Sequence, residues 1–295
     1  FDAGDIFTGT LAQLTGGEIA FELMNLMGYD AMGIGNHEFE FGWQEFARQK
    51  KRASFPVLGA NLTYRDGRAP YAQPYAVIER DGIRIGVIGV LGEDAATALI
   101  PSNLEGVKVS DPVKAVRTYV HELRSSVDLV VVLTHQGPTA PMQTNDEAVP
   151  EVYRGNAANL ALAAAVPGID VILAGHTDAG TPEALRDEVN GTLVMQTWGQ
   201  GQHLGVLKLL LPARERGVQL VSSALVPVDS EALQAHPLVA ARLNDYRTQH
   251  PQIFSEVGRL SEIASREYYR ESRLGNLLAD IVREQAEAEI GLMPS

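Results

Sequence analysis

The sequence predicts a layered α/β fold. Helical and strand-like segments alternate up to the apolar run that ends at Ala174, and strand-like runs then cluster at 192–197, 203–211 and 218–228. The chain has 295 residues, 45% of them hydrophobic, enough to pack one large domain or two smaller ones. Its 24 basic and 37 acidic side chains leave a net charge of −13, with no clustered Lys/Arg face for a nucleic acid. No apolar run approaches the roughly 18 residues of a membrane span. With no cysteine present, thiolate chemistry is excluded, and any metal must be held by His, Asp, Glu or Asn.

The elements follow in order from spacing. Ile19, Leu23, Leu26 and Met27 give a helical stripe over 17–28 that stops at Gly28. A short strand over 29–34, a polar helix over 42–52 and a strand over 57–62 come next. Asp81-Gly82 between 75–80 and 83–90 predicts a tight hairpin, because that pair tolerates positive φ. Val113, Val116, Val120 and Leu123 mark a helix over 112–125. A strand over 127–133, a helix over 156–165 and a strand over 169–174 continue the alternation. The runs 192–197, 203–211 and 218–228 read as successive antiparallel strands. Residues 146–151 read as a solvated acidic loop, and 231–250 as a polar connector helix. One amphipathic helix follows in 256–295, with Leu274, Leu277, Leu278, Ile281 and Val282 on its stripe.

Four strand-like segments each end in metal-binding residue types: Asp5 after Phe1–Gly4; Asn36 and His37 after 29–35; His135 after 127–134; and His176, with Asp178 two residues on, after 169–175. Ligands of open α/β sheets gather at the carboxyl ends of strands, so these deliveries predict one shared site. Glycines 4, 35 and 175 allow sharp turns toward it. Oxygen and imidazole donors suit Mn²⁺, Zn²⁺ or Fe rather than an all-oxygen calcium cage. For His203 a place at the mouth of the site is the alternative reading, not the preferred one.

Gly35-Asn36-His37-Glu38, preceded by Gly28-Tyr29-Asp30-Ala31 and followed by Phe39-Glu40-Phe41-Gly42, resembles the calcineurin-like metallophosphoesterases, and their 5′-nucleotidase/UDP-sugar hydrolase branch in particular. Asp2-Ala3-Gly4-Asp5, Ala60-Asn61-Leu62, Thr134-His135, Gly175-His176-Thr177-Asp178 and Glu271–Leu277 appear in that family's order. The resemblance implies an α/β/β/α sandwich and two divalent ions, Mn²⁺, Zn²⁺ or similar, that activate a hydroxide for attack on a nucleotide phosphate. It implies Asp5 as a bridging ligand, Asn36, His135 and His176 completing one metal shell, and Asp178 as a ligand of the other ion, where the family has Gln or His. It implies His37 as hydrogen-bond donor to the phosphoryl or leaving-group oxygen, oriented by Glu40, where the family has Asp.

The resemblance further implies a catalytic domain over 1–229, a helical linker over 230–255 and the opening of a C-terminal specificity domain over 256–295. The family's first strand, with an Asp-x-His pair for the first metal, is not among these residues, so the chain reads as cut at both ends. A small nucleotide is the expected partner, without nucleic acid or membrane span; the oligomeric state is open. Location is expected to be periplasmic or extracellular. Other readings stay open: a UDP-sugar, 2′,3′-cyclic nucleotide or thiosulfate-ester hydrolase, a non-catalytic binding module on the same fold, or a secreted surface protein with a structural metal.

Overall fold

The computed structural model describes residues 1–138, 149–212, 217–229, 231–256, 258–265 and 271–292, so part of the expected acidic loop, 146–148, lies outside the described residues. The helices are α1 (Thr10–Thr15), α2 (Glu18–Met27), α3 (Trp43–Gln49), α4 (Glu93–Thr97), α5 (Pro112–Leu123), α6 (Glu151–Ala165), α7 (Pro237–Gln249), α8 (Pro251–Phe254) and α9 (Arg273–Gln285). The first strands are β1 (Met32–Gly33), β2 (Val57–Leu58), β3 (Leu62–Tyr64), β4 (Tyr75–Arg80), β5 (Ile83–Leu91) and β6 (Val107–Val109). They are followed by β7 (Leu129–His135), β8 (Val171–Gly175), β9 (Leu185–Arg186), β10 (Leu193–Gln196), β11 (His203–Leu210) and β12 (Gln219–Pro227).

Local chemistry explains the boundaries. Gly28 ends α2 in the left-handed conformation at φ 73°, and its N–H caps the carbonyls of Met24 and Asn25. Asp111 starts α5 by accepting the amides of Val113 and Lys114, with Pro112 at the first helical position. Asp81 and Gly82, at φ 51° and 79°, close the β4–β5 hairpin between Arg80 and Ile83.

The central sheet has the order β4-β5-β7-β8-β10-β9. Strands β5, β7, β8 and β10 run parallel, so their carboxyl ends share one edge, where Leu91, His135 and Gly175 stand in register. The short pair β1–β2 is also parallel, and Asp2 bridges to Met32 beside it.

Three buried clusters define the layers. Val116, Val120, Leu123, Leu162 and Ala163 of α5 and α6 pack with Ile88, Val130, Val132 and Ile172 on one face of the central sheet. On its other face, Val87, Val131, Leu133, Val171 and Leu193 meet Ala31 and Leu58, with Leu207 and Leu209 of β11 against them. Beyond β1–β2, Phe21 of α2 and Phe46 of α3 close a third cluster with Phe7, Phe39 and Tyr71. The result is helix, sheet, sheet, helix.

One expected element differs. Residues 192–197 do not join β11 and β12 in an antiparallel series; β10 enters the central sheet parallel to β8, and only β11 and β12 pair antiparallel to each other. All four β10 side chains are buried, which fits an interior strand rather than a half-solvated one. The chain separates into a large compact unit up to Asn244 and a small one from Asp245 onward. Among the described residues no helix is long and apolar enough to cross a membrane.

Candidate active site

The carboxyl edge of the central sheet opens into a cavity of about 850 Å³ lined by Asp5, Asn36, His37, His135, His176 and Asp178, among others. Each arrives by a separate route. β7 delivers His135 in its last position, β8 ends one residue before His176, and the turn after β1 carries Asn36 and His37. That turn is anchored by Phe39, fully buried and edge-on to Phe46 at 5.6 Å between ring centres. Asp5, His176 and Asp178 hold positive φ of 70°, 81° and 52°. Non-glycine residues adopt that region at a cost, and such strain gathers at functional sites.

Ligand atoms of Asp5, His135 and His176 all lie within 4.8 Å of one another. His135 Nδ1 stands 2.7 Å from the Ala3 carbonyl, which only accepts, so Nδ1 carries a proton. Its Nε2 then faces Asp5 Oδ2 at 2.9 Å and Asn36 Oδ1 at 3.1 Å, both acceptors. His176 Nε2 is buried with no hydrogen-bond partner. Deprotonated Nε2, the two oxygens and a His176 ring nitrogen within 4.8 Å of the Asp5 and His135 ligand atoms form a donor set that suits a divalent cation. The glycines preserve this cradle. A Cβ on Gly35 would stand 2.3 Å from Asp5 Oδ1 and 2.8 Å from His135 Cε1, and one on Gly4 would meet the Gly35 amide at 2.4 Å.

In the metal-free protein a proton on His135 Nε2 takes the place a cation would fill. Burial works to raise the Asp5 carboxyl, but the hydrogen bond and charge of His135 outweigh it and hold it below the usual range. Burial works to lower His135, and Asp5 outweighs that too, raising it. Burial and then His135 push His176 down to about 4, so its ring stays neutral and able to ligate at neutral pH. Asp178 is raised by burial and by Asp5. It lines the cavity, and its carboxylate rests where a Cβ on Gly199 would come within 2.3 Å of it, but it is not part of the Asp5–His135–His176 cluster.

His37 sits on the rim. Its amide donates to Asp5 Oδ1 at 2.8 Å, and its Nδ1 lies 2.5 Å from Glu40 Oε1. The longer glutamate arm therefore reaches the imidazole. Nδ1 donates to the carboxylate, and Nε2 is left for another partner. His203 also lines the cavity, its ring edge-on to Trp198 at 4.7 Å.

Two residues carry more of the site than their sequence pattern suggested. Glu38, fully buried, accepts the amides of Asp5 (2.9 Å), Ile6 (2.7 Å) and Gly35 (2.6 Å). Burial and then the charge of Asp5 push its carboxyl up to about 7. Asp2 accepts the Gly4 amide at 2.8 Å, and burial raises its carboxyl as well. The signal for Glu38 was its place directly after His37; nothing in the spacing disclosed its partners.

The profile of the calcineurin-like phosphoesterases matches residues 1–179, a span that holds every residue of the cluster. The chain belongs to the calcineurin-like phosphoesterase family. Among its relatives, the 5′-nucleotidase of Vibrio cholerae is 30% identical over 77% of this chain and 43% of the relative. Endonuclease YhcR of Bacillus subtilis is 28% identical over 99% of this chain and 24% of its own length. The crystal structure of a 5′-nucleotidase precursor from Thermus thermophilus superposes with a TM-score of 0.78 at 25% identity, covering 99% of this chain and 62% of that one. The chain thus spans less than two thirds of each of these relatives. The family works with divalent metals, and the Asp5–His135–His176 group is a candidate place for one.

Proposed function

We propose that the chain is the catalytic part of a metal-dependent phosphoesterase acting on nucleoside 5′-monophosphates or related nucleotides. One observation carries this reading: Asp5 Oδ2, Asn36 Oδ1 and His135 Nε2 meet, a His176 ring nitrogen lies within 4.8 Å of the Asp5 and His135 ligand atoms, and the cavity they line also takes in His37. A divalent cation held there supplies Lewis acidity toward a phosphoryl oxygen. The names of the 5′-nucleotidase relatives favour a nucleotide as substrate.

In this reading Asp5, Asn36, His135 and His176 would hold one ion, and Asp5 with Asp178 would contribute to a second. Both would be Mn²⁺, Zn²⁺ or similar. His37 presents Nε2 to the substrate. With that nitrogen protonated, it donates to the phosphoryl or leaving-group oxygen as negative charge grows, while Glu40 holds Nδ1–H and fixes the ring. The net charge of −13 need not oppose an anionic substrate, because cations bound in the cavity would dominate the local field. Residues 1–229 form the catalytic domain of this reading, and a periplasmic or extracellular location accompanies it.

The test is hydrolysis of AMP, UDP-glucose, 2′,3′-cyclic AMP and a chromogenic phosphate ester with added Mn²⁺, before and after chelation. Turnover of AMP that chelation abolishes and Mn²⁺ restores is the expected result. Turnover indifferent to chelation, or none of any ester with Mn²⁺ bound, contradicts the proposal. Calorimetric titration with Mn²⁺ separates two ions from one, and Asp178→Asn is expected to remove only the weaker.

A further inference from the structure

Two turns that carry cavity residues are tied by carboxylates in both directions. Asp5, on the turn after the first bridge, accepts the His37 amide on the turn after β1 at 2.8 Å. Glu38, on the second turn, reaches back and accepts two consecutive amides of the first, Asp5 and Ile6, at 2.9 and 2.7 Å. The oxygen that takes the Asp5 amide also takes that of Gly35 at 2.6 Å. One fully buried side chain thus gathers three backbone donors that no strand or helix uses.

The geometry has a consequence for Asp5. This residue follows Gly4 at φ 101° and itself stands at φ 70°, a conformation a non-glycine residue leaves unless something holds it. Hydrogen bonds at its own amide and at the next one fix its φ and ψ together. Those angles aim its carboxylate at His135 Nε2. The same clamp draws Gly35 against Asp5, where only a missing Cβ lets the two pass, and Gly35 is followed directly by Asn36.

We propose that Glu38 is a positioning residue for the cation site, a buried clamp that holds Asp5 and Asn36 at ligating distance from His135. This rests on reading those three as cation ligands, and not on which ester is hydrolysed. Glu38 touches neither ion nor substrate. Aspartate is one methylene short of spanning both turns, and glutamine turns one acceptor into a donor facing an N–H, so neither replaces it fully.

The experiment titrates metal-free protein with Mn²⁺ in a calorimeter and follows unfolding by circular dichroism, for the parent, Glu38→Gln, Glu38→Ala and Val116→Ala. Val116 is fully buried in the cluster on the far face of the central sheet, so its truncation supplies a matched loss of Tm away from the site. The expected result is a 10- to 100-fold weaker Mn²⁺ affinity for Glu38→Gln, a larger loss for Glu38→Ala, and parental affinity for Val116→Ala at similar Tm. Parental affinity in folded Glu38→Gln and Glu38→Ala overturns the proposal. So does an equal loss in Val116→Ala, which would make the effect one of general stability, or a parent that binds no Mn²⁺. A parent that binds Mn²⁺ yet hydrolyses no phosphate ester defeats the phosphoesterase reading while leaving the Glu38 result to stand or fall by itself.

Discussion

On the inner wall of the cavity, Asn36 and His135 are 2% and 1% exposed; on the rim, the His37 and Glu40 side chains keep about two fifths of their surface in solvent, 41% and 39%. The inner wall is also the more constrained. His135 is tied to Ala3, Asp5 and Asn36, and the turns around it pack so closely that Gly4 and Gly35 have no room for a Cβ. The rim pair has one mutual contact and open approach. The contrast matches two physical tasks. A cation is held best by dehydrated acceptors fixed in advance, whereas a proton donor must meet substrate and exchange with water.

The largest expected effect lies on the inner wall. Asp5→Asn keeps the shape but removes the charge, and is expected to lower kcat/KM about 10³-fold while abolishing calorimetric Mn²⁺ binding. Mn²⁺ binding at parental strength would break the distinction between wall and rim. On the rim, His37→Ala is expected to cost about 10²- to 10⁴-fold in kcat while leaving Mn²⁺ affinity within about twofold. A matching loss of metal affinity would move His37 to the inner wall.

Glu40→Gln should be milder, about 10-fold in kcat at unchanged KM, since only the orientation of an imidazole is loosened. Exposed pairs of this kind contribute about 0–1 kcal/mol to stability, so its Tm should stay within about 2 °C of the parent. A pH dependence of the metal-free protein stands apart from these substitutions. His176 is held down to about 4 in the fold against 6.5 in the unfolded chain. Between those values the unfolded state binds the extra proton, so stability is complete above pH 6.5 and drains as pH falls toward 4. Chelated protein melted across this window should lose Tm more steeply than His176→Gln; equal slopes would place the titration elsewhere.

How much of this was legible in the sequence depends on the kind of interaction. Strand ends followed by Asp5, Asn36, His135 and His176 were visible because parallel strands expose their carboxyl edges together, and the register of Leu91, His135 and Gly175 is that edge. The Asp81-Gly82 hairpin and the stop at Gly28 were visible because each depends on the backbone freedom of one or two residues. β10 was misread because a short apolar run has no period that tells an interior parallel strand from an antiparallel one. The work of Glu38 was hidden because its three partners are backbone amides, which every residue type supplies.

The most direct test is an anomalous difference map from a crystal of this protein grown with Mn²⁺. The account predicts a peak bonded at about 2.0–2.2 Å to Asp5 Oδ2, Asn36 Oδ1, His135 Nε2 and a ring nitrogen of His176, with His37 beside it and unligated. A cavity without a peak at saturating Mn²⁺, or a peak held by other side chains, would contradict it.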